Sequence, residues 1–308
     1  MTRTLVTGGA GRLGRSVVQV LARAGRDVVS VDRDVVEGLP AVQIEMDLLD
    51  ADARRALFAD QRPDEVVHLA AIPAPFLAPG DETFAINTSL AYGVIGGALE
   101  TGARSALVAT SPTVVGYGSP GGWAPAYLPI DEEHPLAPWN DYALSKQAIE
   151  LLVAVTARAS GDRIRIGAFR PCYVVAPEEW EGAITQQGHT VLERLERPEL
   201  ASVALFNYVD ARDAGEFVLA WLERADGIPN GTVFFVGAGD SLVRGPVADA
   251  LAEWVPEAAE AAAPLLADAP VFSSALAERL LGWRARRSWR TEMSGSDTAG
   301  ASEEVGVG

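Results

Sequence analysis

The chain has 308 residues, 25 Lys plus Arg against 42 Asp plus Glu, a formal charge of −17, 48% hydrophobic residues and one cysteine, Cys172. A chain of this length buries a substantial core unaided, the single cysteine excludes a disulfide scaffold, and the acidic balance argues against nucleic-acid partners, which need a basic stripe to neutralise phosphates. No apolar run approaches the ~20 residues of a bilayer span, and Gly8 and Gly9 leave no room for the apolar core of a secretory signal, so a cytoplasmic protein without a membrane partner is expected.

Residues 3–7 read as a short strand, and Leu13, Val17, Val20, Leu21 and Ala24 recur at helical spacing through residues 12–24. Strands follow at 27–31 and 42–46, a helix at 51–60, and a fourth strand at 65–69. A long helix at about 82–101, a strand at 105–110, a Gly/Pro-rich loop at 111–138, a helix at 139–159 and a strand at 163–169 continue the alternation. Strands and helices at this pitch imply an α/β fold, a doubly wound parallel sheet of Rossmann type. The loop at 111–138 is longer than a connector needs, so it is expected to border the functional site.

After Pro171 prolines break the pattern, leaving a helix at 211–224 and a strand at 232–236 as the last pieces of the main unit. The expected organisation is a dinucleotide-binding domain of residues 1–171 plus about 210–236. A smaller substrate-binding lid of about 172–209 plus 237–290 joins it, followed by a disordered acidic tail at 291–308. His68, His134 and His189 are far apart and share no ligand spacing with Cys172, so no metal site is expected.

The run Thr7-Gly8-Gly9-Ala10-Gly11-Arg12-Leu13-Gly14 lies where a strand becomes a helix. Glycines there let a pyrophosphate approach the backbone, and the helix start offers free N–H groups and a positive dipole end. Asp32, at the end of the second strand, lies near the ~20-residue offset of an acid that binds the adenosine ribose hydroxyls. A carboxylate repels a 2′-phosphate and favours NAD; Arg33 beside it keeps NADP open. Tyr142 and Lys146 stand four apart on one helix face. A phenol that works near neutrality needs a cation beside it, and Lys146 is the only lysine in the chain.

These residues resemble the extended short-chain dehydrogenase/reductases, specifically the NAD-dependent epimerase/dehydratase family, over nearly everything up to about Trp289. The matching pieces are the glycine run, Asp32, Met46-Asp47-Leu48, His68-Leu69-Ala70-Ala71, Asn87, Thr110-Ser111, Tyr142 with Lys146, Phe169-Arg170-Pro171, Tyr208 to Asp213, and Leu281-Gly282-Trp283. The resemblance implies that Tyr142 is the general acid/base, that Lys146 lowers its pKa and binds the nicotinamide ribose, and that Ser111 hydrogen-bonds the reacting oxygen. It also implies that Gly8, Gly11, Arg12, Leu13, Gly14, Asp32, Arg33, Asp47, Leu48, Leu69, Ala70, Ala71, Asn87 and Pro171 bind the cofactor along with Tyr142 and Lys146. A homodimer through the helices at about 82–101 and 141–159 is implied as well.

Three departures narrow the chemistry. Ser111 is followed by Pro112 and Thr113 rather than the acidic pair of the family's dehydratases, which speaks against water elimination. Tyr173 and Ala176 stand where nucleotide-sugar members usually carry Asn and Gly. The stretch 111–117 is somewhat similar to uronate dehydrogenases, but Glu178, Glu179 and Glu181 stand where a carboxylate-holding arginine is wanted. The expected function is therefore NAD(P)-dependent hydride transfer at a secondary alcohol or ketone of a sugar-like small molecule. The alternatives are a sugar or nucleotide-sugar epimerase that retains its cofactor, and a non-catalytic NAD(P)-sensing protein. Cys172 reads as a buried hydrophobe or as a contact of the nicotinamide face or the substrate, His134 and His189 as surface groups or a second acid, Tyr117, Trp123 and Trp180 as pocket or lid aromatics, and Asp131 to Glu133 as a solvated face.

Overall fold

The structure, a computed structural model, describes residues 2–294. Its elements run β1 (Arg3–Thr7), α1 (Arg12–Arg23), β2 (Asp27–Asp32), β3 (Val42–Glu45), α2 (Ala51–Gln61), β4 (Glu65–His68), α3 (Gly80–Thr101) and β5 (Ser105–Ala109). They continue with α4 (Asp141–Ser160), β6 (Arg165–Pro171), β7 (Val174–Val175), α5 (Pro177–Trp180), α6 (Val191–Glu196), α7 (Glu199–Ser202), β8 (Val209–Asp210) and α8 (Ala211–Arg224). The last are β9 (Val233–Val236), α9 (Val247–Trp254), α10 (Ala259–Ala262), α11 (Ala275–Leu281) and α12 (Trp289–Glu292). Among the described residues no helix is long and apolar enough to cross a membrane.

Seven strands form one parallel sheet in the order β3-β2-β1-β4-β5-β6-β9. The central strands are apolar runs buried on both faces, as a sheet covered by helices on each side demands. Beneath one face α1 and α8 bury Val17, Val18, Leu21, Phe217 and Trp221; on the other α2, α3 and α4 bury Phe58, Val94, Ile149 and Val153. Strand order reverses between β1 and β4, which pair with Thr7 opposite His68. In such sheets ligands bind outside the strands' carboxyl ends at this reversal.

The segment after β6 makes its own small core of Tyr173, Val175, Trp180, Leu195, Tyr208 and Trp289 around the two-stranded β7-β8 sheet. Asp210 organises it: its carboxylate accepts from Arg212 N at 2.7 Å to cap α8 and from Trp180 Nε1 at 2.7 Å. Asp213 ties in the carboxyl-terminal stretch by accepting from Arg286 N at 2.9 Å and Arg287 N at 2.8 Å. Thr291 and Glu292 belong to α12, and Glu292 pairs with Arg212 at 2.6 Å, so the ordered chain continues past the point where an acidic tail was expected. The rest of that expected tail, 295–308, lies outside the described residues.

Candidate active site

The loop between β1 and α1 is shaped by contacts that exclude side chains. Gly8 has φ +75°, and a Cβ there would stand 2.6 Å from Ala70 N; a Cβ on Gly14 would stand 2.0 Å from Gly8 O. The backbone of the loop is thereby pressed against Ala70 and against the first turn of α1. Gly11 caps that helix without a side chain, and the first-turn amides have no carbonyl one turn earlier to bond. Backbone donors facing outward at a helix start suit a pyrophosphate, so these residues fit a dinucleotide. Asp32 closes the neighbouring strand, with Oδ2 accepting from Ala10 N at 3.0 Å and Oδ1 from Arg33 N at 2.7 Å. Leu69 N donates to Thr7 O at 3.0 Å, which lays Leu69, Ala70 and Ala71 alongside the same loop. Leu48 is buried beyond β3, while Asp47 is exposed, with Oδ1 accepting from Leu49 N at 2.9 Å.

Asn87 reaches this region from α3, but its amide is spent on the protein. Oδ1 accepts from Ile72 N at 2.8 Å and Nδ2 donates to Ser145 Oγ at 3.1 Å. It therefore fastens the loop after β4 to α4.

Asn140 caps α4 by accepting from Ala143 N at 2.9 Å, which fixes Tyr142 in the first turn and Lys146 one turn on. Both are buried. Lys146 Nζ lies 5.6 Å from the centroid of the Tyr142 ring and donates to Ala109 O, at the end of β5, at 3.3 Å. Burial lowers the Lys146 ammonium from 10.5 to about 8. Burial pushes the Tyr142 phenol up to about 12, the nearby Ser111 hydroxyl working the other way, although Ser111 Oγ already accepts from Thr113 Oγ1 at 2.9 Å. Pro171 ends the adjacent β6. Ser111, Tyr142 and Lys146 thus converge at the carboxyl end of the sheet.

Several neighbours carry no motif in the sequence. His68, on β4, is buried, shares a 2.7 Å hydrogen bond with Thr7 Oγ1, and is held down to about 3 by burial and then by the Lys146 ammonium, so its ring is neutral. Below Ser111, Thr110 Oγ1 donates to Glu150 Oε1 at 2.9 Å, and Arg170 grips the same carboxylate twice, at 2.7 and 2.8 Å. Glu150 stands four residues after Lys146, a spacing that puts both on one helix face. Tyr142, Cys172 and Asn207 gather around Tyr117; burial raises both the Tyr117 phenol and the Cys172 thiol.

Other expectations change. Trp180 and Trp123 use their indole N–H groups on Asp210 and on Val115 O at 2.8 Å, as struts of the fold. His134 is buried, not on the surface: Nδ1 faces Pro135 O at 2.9 Å and Nε2 accepts from Ala126 N at 3.0 Å, so both ring nitrogens serve the long loop. Glu132 is not solvated either, because Oε1 accepts from Phe235 N at 2.8 Å and burial raises its carboxyl.

Residues 4–237 match a family described as the NAD dependent epimerase/dehydratase family. The chain is similar to a UDP-glucose 4-epimerase of Azospirillum brasilense, 31% identical over 170 residues, 52% of this chain and 46% of that one. It is also similar to a probable dTDP-4,6-dihydroxy-2-methyloxan-3-one 4-ketoreductase of Streptomyces antibioticus, 34% identical over 146 residues, 47% of this chain and 44% of that one. The chain spans about half the length of these curated relatives. A UDP-glucose 4-epimerase of Thermotoga maritima solved with UDP-glucose has a TM-score of 0.70 at 20% identity, covering 95% of this chain and 96% of that one, a likeness of fold.

Proposed function

The chain belongs to the NAD dependent epimerase/dehydratase family, and from that premise we propose that it is an NAD(P)-dependent oxidoreductase acting at a secondary alcohol or ketone of a sugar-like molecule. The observation that carries the reading is the buried Tyr142 with the ammonium of Lys146 5.6 Å from its ring, one strand end away from a glycine loop shaped for a dinucleotide. Residues 1–171 with about 210–236 would bind the dinucleotide; about 172–209 with 237–290 would bind the substrate.

When bound, NAD supplies the hydride acceptor. The chain's own residues do the rest. Gly11, Arg12, Leu13 and Gly14 hold the pyrophosphate on backbone amides, and Asp32 takes the ribose hydroxyls. Asp32 favours NAD; Arg33 is the cation available to a 2′-phosphate, which is why both cofactors belong in the assay. Leu48, Asp47, Leu69, Ala70, Ala71 and Pro171 line the dinucleotide, and Asn87 holds the Ile72 loop in place. Ser111 orients the reacting oxygen, and Tyr142 Oη takes the hydroxyl proton during oxidation or returns it during reduction. At neutral pH the Tyr142 phenol is protonated and Lys146 is mostly charged, so the ammonium is in the state that stabilises a phenolate as the proton leaves.

A second reading, an epimerase that retains the cofactor, is favoured by the similarity to UDP-glucose 4-epimerases. The same residues serve both. One experiment separates them: the purified chain is examined for retained cofactor and then screened with sugars, sugar acids and nucleotide sugars, with NAD and with NADP. Growth of reduced-nicotinamide absorbance with added cofactor supports the oxidoreductase; sugar inversion without it, by protein already carrying cofactor, supports the epimerase. Neither response across the panel would overturn the reading.

A homodimer is also proposed. Tyr92 on α3 is 71% exposed and Leu151 on α4 62% exposed, with Leu144 and Val155 exposed on the same helix, an apolar stripe suited to a second copy. Leu151→Asp is expected to convert the dimer to monomer in light scattering.

A further inference from the structure

Arg194, in α6, has no solvent-exposed surface. Arginine stays charged in a protein, carries five donors and is almost never fully buried unless paired. Here Nη1 donates to Gln187 Oε1, and the guanidinium lies 4.2 Å from the centroid of the Tyr173 ring. Its Nε and Nη2, both buried, find no acceptor among the described residues. Two neighbours share that condition: the hydroxyl of Tyr173 and Nε of Arg12. Arg12 stands in the first turn of α1 and reaches across to this segment, donating to Val174 O at 2.7 Å and to Glu179. Glu179, the acid of the cluster, is committed to Arg12 and to Ala176 N, the latter at 2.9 Å. Burial lowers the pKa of the Arg194 guanidinium; Arg12 acts in the same direction, and Tyr173 and Glu179 oppose it.

A buried polar group without a partner costs free energy, and a buried charge costs more. Arginine nitrogens can only donate. The ligand that satisfies the cluster is therefore rich in acceptors and negatively charged. We propose that Arg194, the Tyr173 hydroxyl and Arg12 Nε form a buried oxyanion subsite between the start of α1 and the segment from β7 to α6, taking a phosphate or carboxylate group. Two sources present that chemistry: the pyrophosphate of the dinucleotide, since Arg12 follows the glycine loop, and an anionic group on the substrate. The inference deepens the proposed function by assigning an anion to the same cleft, and its test does not require turnover.

Thermal unfolding of the full chain in sodium phosphate and in sodium chloride of equal ionic strength, and NADH binding followed by its fluorescence, are compared among wild type, Arg194→Met and Arg194→Lys. Phosphate is expected to raise the Tm of wild type above its value in chloride, Arg194→Met to lose that increment, and Arg194→Lys to keep part of it. In chloride Arg194→Met is expected to be no less stable than wild type, because methionine removes an unpaired buried charge. NADH binding about 10- to 100-fold weaker in Arg194→Met would assign the anion to the dinucleotide. Unchanged NADH affinity with the phosphate increment lost would assign it to the substrate. If neither the increment nor the NADH affinity depends on residue 194, in Met or in Lys, the subsite is overturned. Failure of wild type to bind NADH would instead break the dinucleotide reading and leave the phosphate comparison standing.

Discussion

Two successive turns of α4 treat a buried cation in opposite ways. At the lower turn Glu150 is gripped by Arg170 at 2.7 and 2.8 Å and also accepts from Thr110, so the charges cancel inside the fold. At the upper turn Lys146 has one carbonyl at 3.3 Å and no carboxylate partner among the described residues. Paired charges close a structure; a charge left with little but a phenol beside it is available to chemistry. Arg194 repeats the second pattern in the segment that faces the glycine loop.

The contrast is broken most severely at Tyr142. Tyr142→Phe removes the hydroxyl proposed to carry the proton but keeps the ring, so turnover is expected to fall by ~10²- to 10⁴-fold while NADH affinity, read by fluorescence titration, stays within about twofold. Next comes Glu150→Gln, which leaves Arg170 charged and unpaired; a loss of ~3–5 kcal/mol is expected in denaturant unfolding, because breaking one side of a buried pair strands the other. An unchanged midpoint would show that the network carries no stability.

Lys146 should respond with the other sign. Its ammonium is lowered from 10.5 to about 8, so between those values the unfolded chain holds a proton that the folded chain has lost. Stability therefore rises with pH across that window, and below about 8 the burial cost, up to ~3 kcal/mol, is present in full. Lys146→Met should raise the unfolding midpoint at pH 7 and flatten that rise, as turnover collapses; a lower midpoint would mean that the lysine is structural. Smallest is His134→Ala, expected to cost ~1–2 kcal/mol through the lost bonds to Ala126 and Pro135 in the long loop, with little effect on NADH binding.

The parts legible in the sequence were those governed by local rules. The predicted helix at 211–224 coincides with α8, and the glycine loop, β1 and α1 lie where periodicity put them, because apolar spacing and tight turns are local properties. The seven parallel strands follow from the alternation for the same reason. Long-range pairings left no such trace. Nothing near Glu150 announces Arg170, Thr110 gives no hint of either, and His134 looks like any loop histidine until Ala126 and Pro135 close on it. Glu292 reads as tail because its partner, Arg212, lies some eighty residues earlier. Arg194 was missed because an arginine in a short polar helix signals exposure, and only the packing of Tyr173 and Arg12 around it reveals otherwise.

The lone ammonium of Lys146 is proposed to ready the Tyr142 phenol once a dinucleotide is seated, and the ultraviolet tyrosinate signal tests this directly. With NAD saturating, the difference between wild type and Tyr142→Phe during a pH titration isolates one phenol. It should ionise below the ~10 of free tyrosine, and the same difference measured in a Lys146→Met background should move well above it. A phenol that ionises at the same pH with and without Lys146 would contradict the account.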